Sequence, residues 1–316
     1  MEHQPQKEIC STAAKSEGQI GPNQAYMLIS MAVFLWAFGV VVARGVHEEI
    51  PLIGLSFWRW FVASMAILPF VFKELLSKFD VVRQNIRLLL TQGILIVGSG
   101  AVLFVALMFT TAINASLVNA AQPVFTVFLA RIIIGDRLSR IQMLGITVGV
   151  IGVISMIAKA NVQVLLNFEF NIGDLLVVLA IVGYAAYAIN LRKLPNELGT
   201  FASLFVILFL GSLCLFPFYI AEAIYIKPLP FNGFVVFLVL ILALGVSIAS
   251  MAMWNKGNRV VGPSRAAIFI NLLPVFGSIM AIIFLDEELY VYHFFGAILV
   301  CAGIFMVVRE SKKESS

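Results

Sequence analysis

One basic residue, Arg59, lies deep within an apolar run, in the stretch Ser56-Phe57-Trp58-Arg59-Trp60-Phe61. If that run is a helix starting near Leu52, a rise of about 1.5 Å per residue puts Arg59 roughly 10 Å from its start. A cation at such depth belongs in the protein interior or a watery cavity. It can hold a substrate there, or it can brace neighbouring helices through their carbonyls. Ala115, Asn119, Gln122 and Thr126 recur at i, i+4, i+7 and i+11, one face of a helix. A stripe of small and uncharged polar side chains suits a cavity wall, and equally a hydrogen-bonded seam between helices. Asn271, with Ala267, Pro274 and Ser278, forms a second, displaced stripe. Trp36, Tyr184 and Tyr187 fall inside their runs, away from the interfacial belt where such rings collect. Their faces can stack on a planar ligand or pack the core. Trp254 falls near the end of its run and reads as an interface anchor.

These residues point to recognition without catalysis. All 17 acids lie in tails, loops or helix ends, and the clusters at 48–49 and 286–288 read as solvated loops. No His falls mid-run, and Cys10, Cys214 and Cys301 lack metal-ligand spacing. No catalytic set, metal site or cofactor site is expected, and no mid-membrane carboxylate is available to carry a proton relay. A neutral, zwitterionic or anionic substrate with a planar portion fits these groups best, because a buried cation would lack a counter-charge.

The elements that must position these residues follow from composition. Hydrophobic residues make up 61% of the chain and charged residues 12%, against roughly 25% charged in a soluble domain. Mean hydropathy is +1.01. The chain reads as an all-α integral membrane protein embedded in a lipid bilayer. The net charge of +4 is spread through loops and tails, which argues against a nucleic-acid partner. Ten runs are near the roughly 20 residues needed to span the hydrocarbon as a helix. They fall at about 25–44, 52–73, 88–109, 112–134, 141–158, 173–191, 201–221, 232–254, 264–285 and 291–308. Pro123 and Pro274 lie near the middle of the fourth and ninth runs and predict kinks there.

The chain repeats itself. Residues 112–153 align without a gap on 263–304 at an offset of 151, with Pro123 on Pro274, Asp136 on Glu287, Gly145 on Gly296 and Gly152 on Gly303. At an offset of 148, Trp36 falls on Tyr184 and Pro69 on Pro217. The expected domains are a cytoplasmic tail over 1–24, five-helix repeats over 25–158 and 173–308, and a second tail over 309–316. Five helices per repeat is odd, so the second repeat is expected inverted, with a binding site between the halves. With both termini cytoplasmic, 17 of the 21 basic residues face the cytoplasm, as the positive-inside rule requires.

The residues around Arg59, the run Gln122-Pro123-Val124-Phe125 ending Gly135-Asp136-Arg137-Leu138, and its copy Leu273-Pro274-Val275-Phe276 ending Asp286-Glu287-Glu288-Leu289 resemble the drug/metabolite transporter superfamily, specifically its EamA-type members. The resemblance spans about 25–308. It implies alternating-access carriage of a small organic metabolite, often export; export or exchange is the expected activity, and the cytoplasmic membrane of a bacterium the expected location. The chain departs from a full duplication at Ile207, which stands opposite Arg59. An intramembrane lipid-modifying enzyme, or a receptor or structural protein, is the alternative. The short loops and dispersed acids weigh against an enzyme.

Overall fold

The computed structural model describes residues 20–46, 50–106, 109–110, 118–158, 161, 163, 166, 171–285 and 290–315. Among these, the regular structure is helical. In hydrocarbon a backbone amide has no water to bond, so an apolar run must satisfy its peptide groups internally, and the helix does this within one segment. The first stretch is α1 (Pro22–Val46), followed by α2 (Leu52–Ser77). A short helix, Phe79–Gln84, leads into α3. α3 is continuous over Ile86–Gly93, a π-turn at Ile94–Gly98, and Ser99–Ala106. Then come α4 (Gln122–Ile134), α5 (Arg140–Ile157), α6 (Ile172–Asn190) and α7 (Thr200–Tyr225). α8 comprises Gly233–Ile241, a π-turn at Leu242–Ala249, and Ser250–Val261. α9 comprises Pro263–Ala267, a 3₁₀ turn at Ile268–Asn271, and Leu272–Leu285. α10 is Val291–Ser315.

Eight of these helical stretches are long and apolar enough to cross a membrane. α4 is shorter, at 13 residues, and α1 is 25 residues long. The acidic turns at 48–49 and 286–288, the stripe residue Ala115 and most of the N-terminal tail lie outside the described residues.

Local sequence sets the boundaries. Ser139 and Gln142 form a reciprocal capping box at the start of α5, and Asn171 and Asp174 form another at the start of α6. Each pair satisfies two orphan N–H groups of a first turn. Gly262 alone separates α8 from α9, and its φ of 91° is one that a side chain disfavours.

Packing is antiparallel in the closest pairs. α5 crosses α10 with Gly145 against Gly303 and Gly152 against Gly296. A Cβ on Gly152 would stand 2.8 Å from the Gly296 carbonyl oxygen, so only bare backbone allows this approach. α2 lies along α7, with Phe57 stacked on Tyr219 at 4.9 Å. α1 packs on α8 and α9, and α6 packs on α3 and α4.

Two carboxylates close the α2–α7 pair at its opposite ends. Glu222, near the end of α7, accepts from the backbone N–H of Ile53 at 3.1 Å and of Gly54 at 2.6 Å. Glu74, near the end of α2, accepts from Gly199 N–H at 2.8 Å, just before α7. A negative group at a helix N-terminus meets both orphan donors and the positive end of the dipole. Lys78 binds Glu74 at 2.8 Å and donates to the Glu197 carbonyl.

The two prolines differ from the sequence expectation. Pro123 is in the first turn of α4, which begins after the turn residues Ala120 and Ala121. A proline suits that position because its fixed φ matches the first turn of a helix. Pro274 is the third residue of Leu272–Leu285, directly after the 3₁₀ turn. Both helices therefore change geometry just ahead of the proline instead of kinking in mid-course.

Candidate functional site

A cavity of about 190 Å³ is lined by residues from both sequence halves. Its lining includes Trp36 of α1, Ser56, Arg59 and Trp60 of α2, Gly100 of α3, and Gln122 and Thr126 of α4, with Asn119 just before α4. From the second half come Tyr184 and Tyr187 of α6, Leu242, Met251 and Trp254 of α8, and Ile270 and Leu273 of α9.

The helical period explains the first-half set. Ser56 and Arg59 are three apart and share a face of α2. Asn119, Gln122 and Thr126 follow the same rule, so the described part of the expected stripe faces the cavity. Thr126 donates its hydroxyl to the Gln122 carbonyl at 2.9 Å. That leaves the Asn119 and Gln122 amides as the polar side chains of this wall. Pro123 has no N–H to return to the Asn119 carbonyl, and Pro274 has none for the carbonyl of Ile270. Both of those residues line the cavity.

Six residues proposed from sequence are brought together: Trp36, Arg59, Asn119, Gln122, Tyr184 and Tyr187. Asn271 is not. It is 2% exposed, and its amide nitrogen lies against Gly149 of α5. The 3₁₀ turn over Ile268–Asn271 advances each residue by more than the α-helical angle, which turns Ile270 toward the cavity and Asn271 away from it. Trp254 is also corrected. It is buried at 4% exposure, 5.0 Å from the Trp36 ring, and forms cavity wall instead of an interface anchor.

Tyr187 is held in place by its own network. Its hydroxyl donates to Asn255 Oδ1 at 2.9 Å. Its backbone carbonyl accepts from Gln92 Nε2 at 3.2 Å, and the next carbonyl, of Ala188, accepts from Asn258 Nδ2 at 3.3 Å. These amides satisfy carbonyls in the last turn of α6 and fix the tyrosine face.

The electrostatics are one-sided. The Arg59 guanidinium carbon lies 4.3 Å from the centre of the Trp60 ring, a cation–π geometry. No Asp or Glu is among the described residues that line the cavity. The described residues also hold no cluster of His, Cys, Asp or Glu able to bind a metal ion. Ser56, Trp60, Gly100 and Trp254 were missed as site residues by the sequence reading. Only Ser56 carried a signal there, as the residue one turn from Arg59.

A cavity of aromatic rings, amides and one guanidinium inside a multi-pass helical membrane protein is suited to holding a solute. The chain belongs to the EamA-like transporter family, whose model matches residues 23–158 and again 171–309. It is a membrane transporter. The uncharacterized transporter YyaM of Bacillus subtilis is 26% identical over 271 residues, covering 82% of this chain and 87% of the relative. A protein of Escherichia coli named as a probable amino-acid metabolite efflux pump is 27% identical over 294 residues, covering 89% and 94%. One solved crystal structure shares the fold, with a TM-score of 0.76 at 16% identity over 93% of this chain and 99% of that one.

Proposed function

We propose that the protein moves a small organic metabolite across the membrane by alternating access, with the substrate held in the cavity between two inverted five-helix repeats, 25–158 and 173–308. The observation that carries this reading is the cavity itself, which draws its walls from both halves.

Several features support the inverted repeat. The two family-model matches divide the chain at the same place. The π-turns of α3 and α8 begin at Ile94 and Leu242, the offset of 148 read from the sequence. Glu74 and Glu222 are also 148 apart, and each caps the other's helix. Gly145 meets Gly303 while Gly152 meets Gly296, the exchange that a two-fold axis across the helices produces. On this reading all ten helices cross the membrane, α1 and α4 included. Lys78, Arg137, Arg140, Arg192, Lys193 and Arg265 then gather at the end that carries both termini, which supports a cytoplasmic face in a bacterial inner membrane.

The substrate is neutral, zwitterionic or anionic, with a flat portion that lies against Trp36, Tyr184 and Tyr187. Arg59, Asn119 and Gln122 supply its polar contacts. The name of the Escherichia coli relative favours a metabolite of amino-acid type, moved outward. The test is flux of a labelled metabolite panel in proteoliposomes of the purified protein. Counterflow of at least one metabolite, lost when cysteines at positions 36 and 119 are blocked by a thiol reagent, is the expected result. No flux for any panel member, in vesicles where the protein is folded and oriented, would end the transport reading.

A further inference from the structure

We infer that the cavity holds its substrate by a carboxylate group, seated in a cradle of donors beside Gly100. This rests on the transport reading and gives it a substrate class. Three groups converge on one point of the cavity wall. A Cβ built on Gly100 would lie 3.6 Å from Tyr184 Oη, 3.9 Å from Arg59 Nη2 and 3.9 Å from Trp60 Nε1. Tyrosine hydroxyl, guanidinium and indole N–H are all donors, and the last two are donors only. A site made of donors calls for an acceptor, and a cationic donor calls for an anion.

Part of this donor set is also unspent. Trp60 is 4% exposed and its Nε1 has no hydrogen-bond partner. Arg59 Nε is buried without one, and so is Ser56 Oγ, one turn earlier on the same face. A buried donor left unpaired costs free energy, and a desolvated charge left unpaired costs more. No carboxylate among the described lining residues answers Arg59. The missing partner is a planar anion with two oxygens, which a guanidinium meets with two parallel hydrogen bonds.

Gly100 keeps the space open, because a methyl group there would make only ordinary contacts and would still occupy the cradle. Its aligned position in the second half is Ile248, and Arg59 aligns with Ile207. The cradle is therefore built once, on the first-half side. Trp36 and Trp254, in contact at 5.0 Å and tilted 48° to each other, add aromatic wall to the same cavity for the remainder of the molecule.

The test uses full-length protein and pairs of aryl carboxylates with their uncharged carboxamides: phenylacetate with phenylacetamide, and indole-3-carboxylate with its amide. Binding is read by isothermal calorimetry in detergent, and flux in proteoliposomes. Each acid is expected to bind at least roughly tenfold tighter than its amide. Arg59→Gln should cut that preference to about twofold. Trp60→Phe keeps the ring face and loses only the N–H, and should weaken the acids severalfold and the amides little. Gly100→Ala should do the same with an unchanged melting temperature, so the inference stays testable if Arg59→Gln does not fold. Amides that bind as tightly as acids would overturn it. So would an acid preference that survives Arg59→Gln, or chloride that displaces the acids at equal concentration. If the amides are carried and the acids are not, transport stands and the carboxylate cradle falls. If no compound of any class is carried, the transport reading falls first.

Discussion

Asn119 and Gln122 occupy the same places in the internal alignment as Ile270 and Leu273, and all four line the cavity. One pair is polar and the other apolar. Arg59 and Ile207 differ in the same way, and Ile207 is fully buried. Other aligned positions keep their chemistry. Gly145 and Gly152 match Gly296 and Gly303, and Glu74 matches Glu222. These matched pairs hold helices together, whereas each of the divergent pairs brings at least its first-half member to the cavity. A contact between backbones depends on shape alone, so both copies need the same residue. A binding site for an unsymmetrical molecule gains nothing from being the same on both walls.

This contrast can be broken first at the glycines. Gly152→Val and Gly303→Val should each push α5 and α10 apart. A new side chain would meet the Gly296 carbonyl at 2.8 Å in one case and the Gly149 amide nitrogen at 2.8 Å in the other. Each should cost at least 1–3 kcal/mol, about the loss expected for overpacking. Melting temperature in detergent checks it, and a large effect from only one of the two would count against equivalent copies.

Next is Arg59→Ile, which gives the first half the residue of the second. Flux of the transported substrate should fall at least roughly tenfold, while Arg59→Lys should recover only part of it, because an ammonium cannot match the planar fork. Flux equal to the parent protein would remove Arg59 from substrate binding.

The two carboxylate caps sharpen the comparison. They share a role but differ in surroundings. Glu222 is 8% exposed, whereas the Glu74 side chain is 30% exposed and shares Lys78. Glu222→Gln should lower stability by roughly 1–2 kcal/mol, since a dry carboxylate on two N–H donors loses a charge-assisted contact. Glu74→Gln should cost under about 1 kcal/mol, because solvent screens it. Thermal unfolding of both variants in one detergent decides, and equal losses would show that burial does not set the value of a cap here.

The smallest effect belongs to the apolar wall. Ile270→Asn with Leu273→Gln makes it a copy of the polar one. Affinity for the flat part of the substrate should drop a few-fold, from lost apolar contact. Competition binding against a labelled substrate measures it. Unchanged affinity would show that this wall does not touch the bound molecule.

Much of this molecule was legible in the sequence by itself. Sixty-one per cent hydrophobic residues and long uncharged runs leave no choice but helices in a bilayer. The helical period alone put Asn119, Gln122 and Thr126 on one face, and they do share the cavity. Arg59 stood out because a lone charge in an apolar run needs a polar place to go. Other features depended on distances between segments far apart in the chain. The period of α9 shifts at its 3₁₀ turn, so a count along the sequence put Asn271 on the wrong side. Trp254 looked interfacial by depth, yet contact with Trp36 across 218 positions makes it wall. Glu222 reads as a loop-end acid until α7 is laid against the N-terminus of α2. Spacing within one helix tells which residues share a face; only packing tells what that face meets.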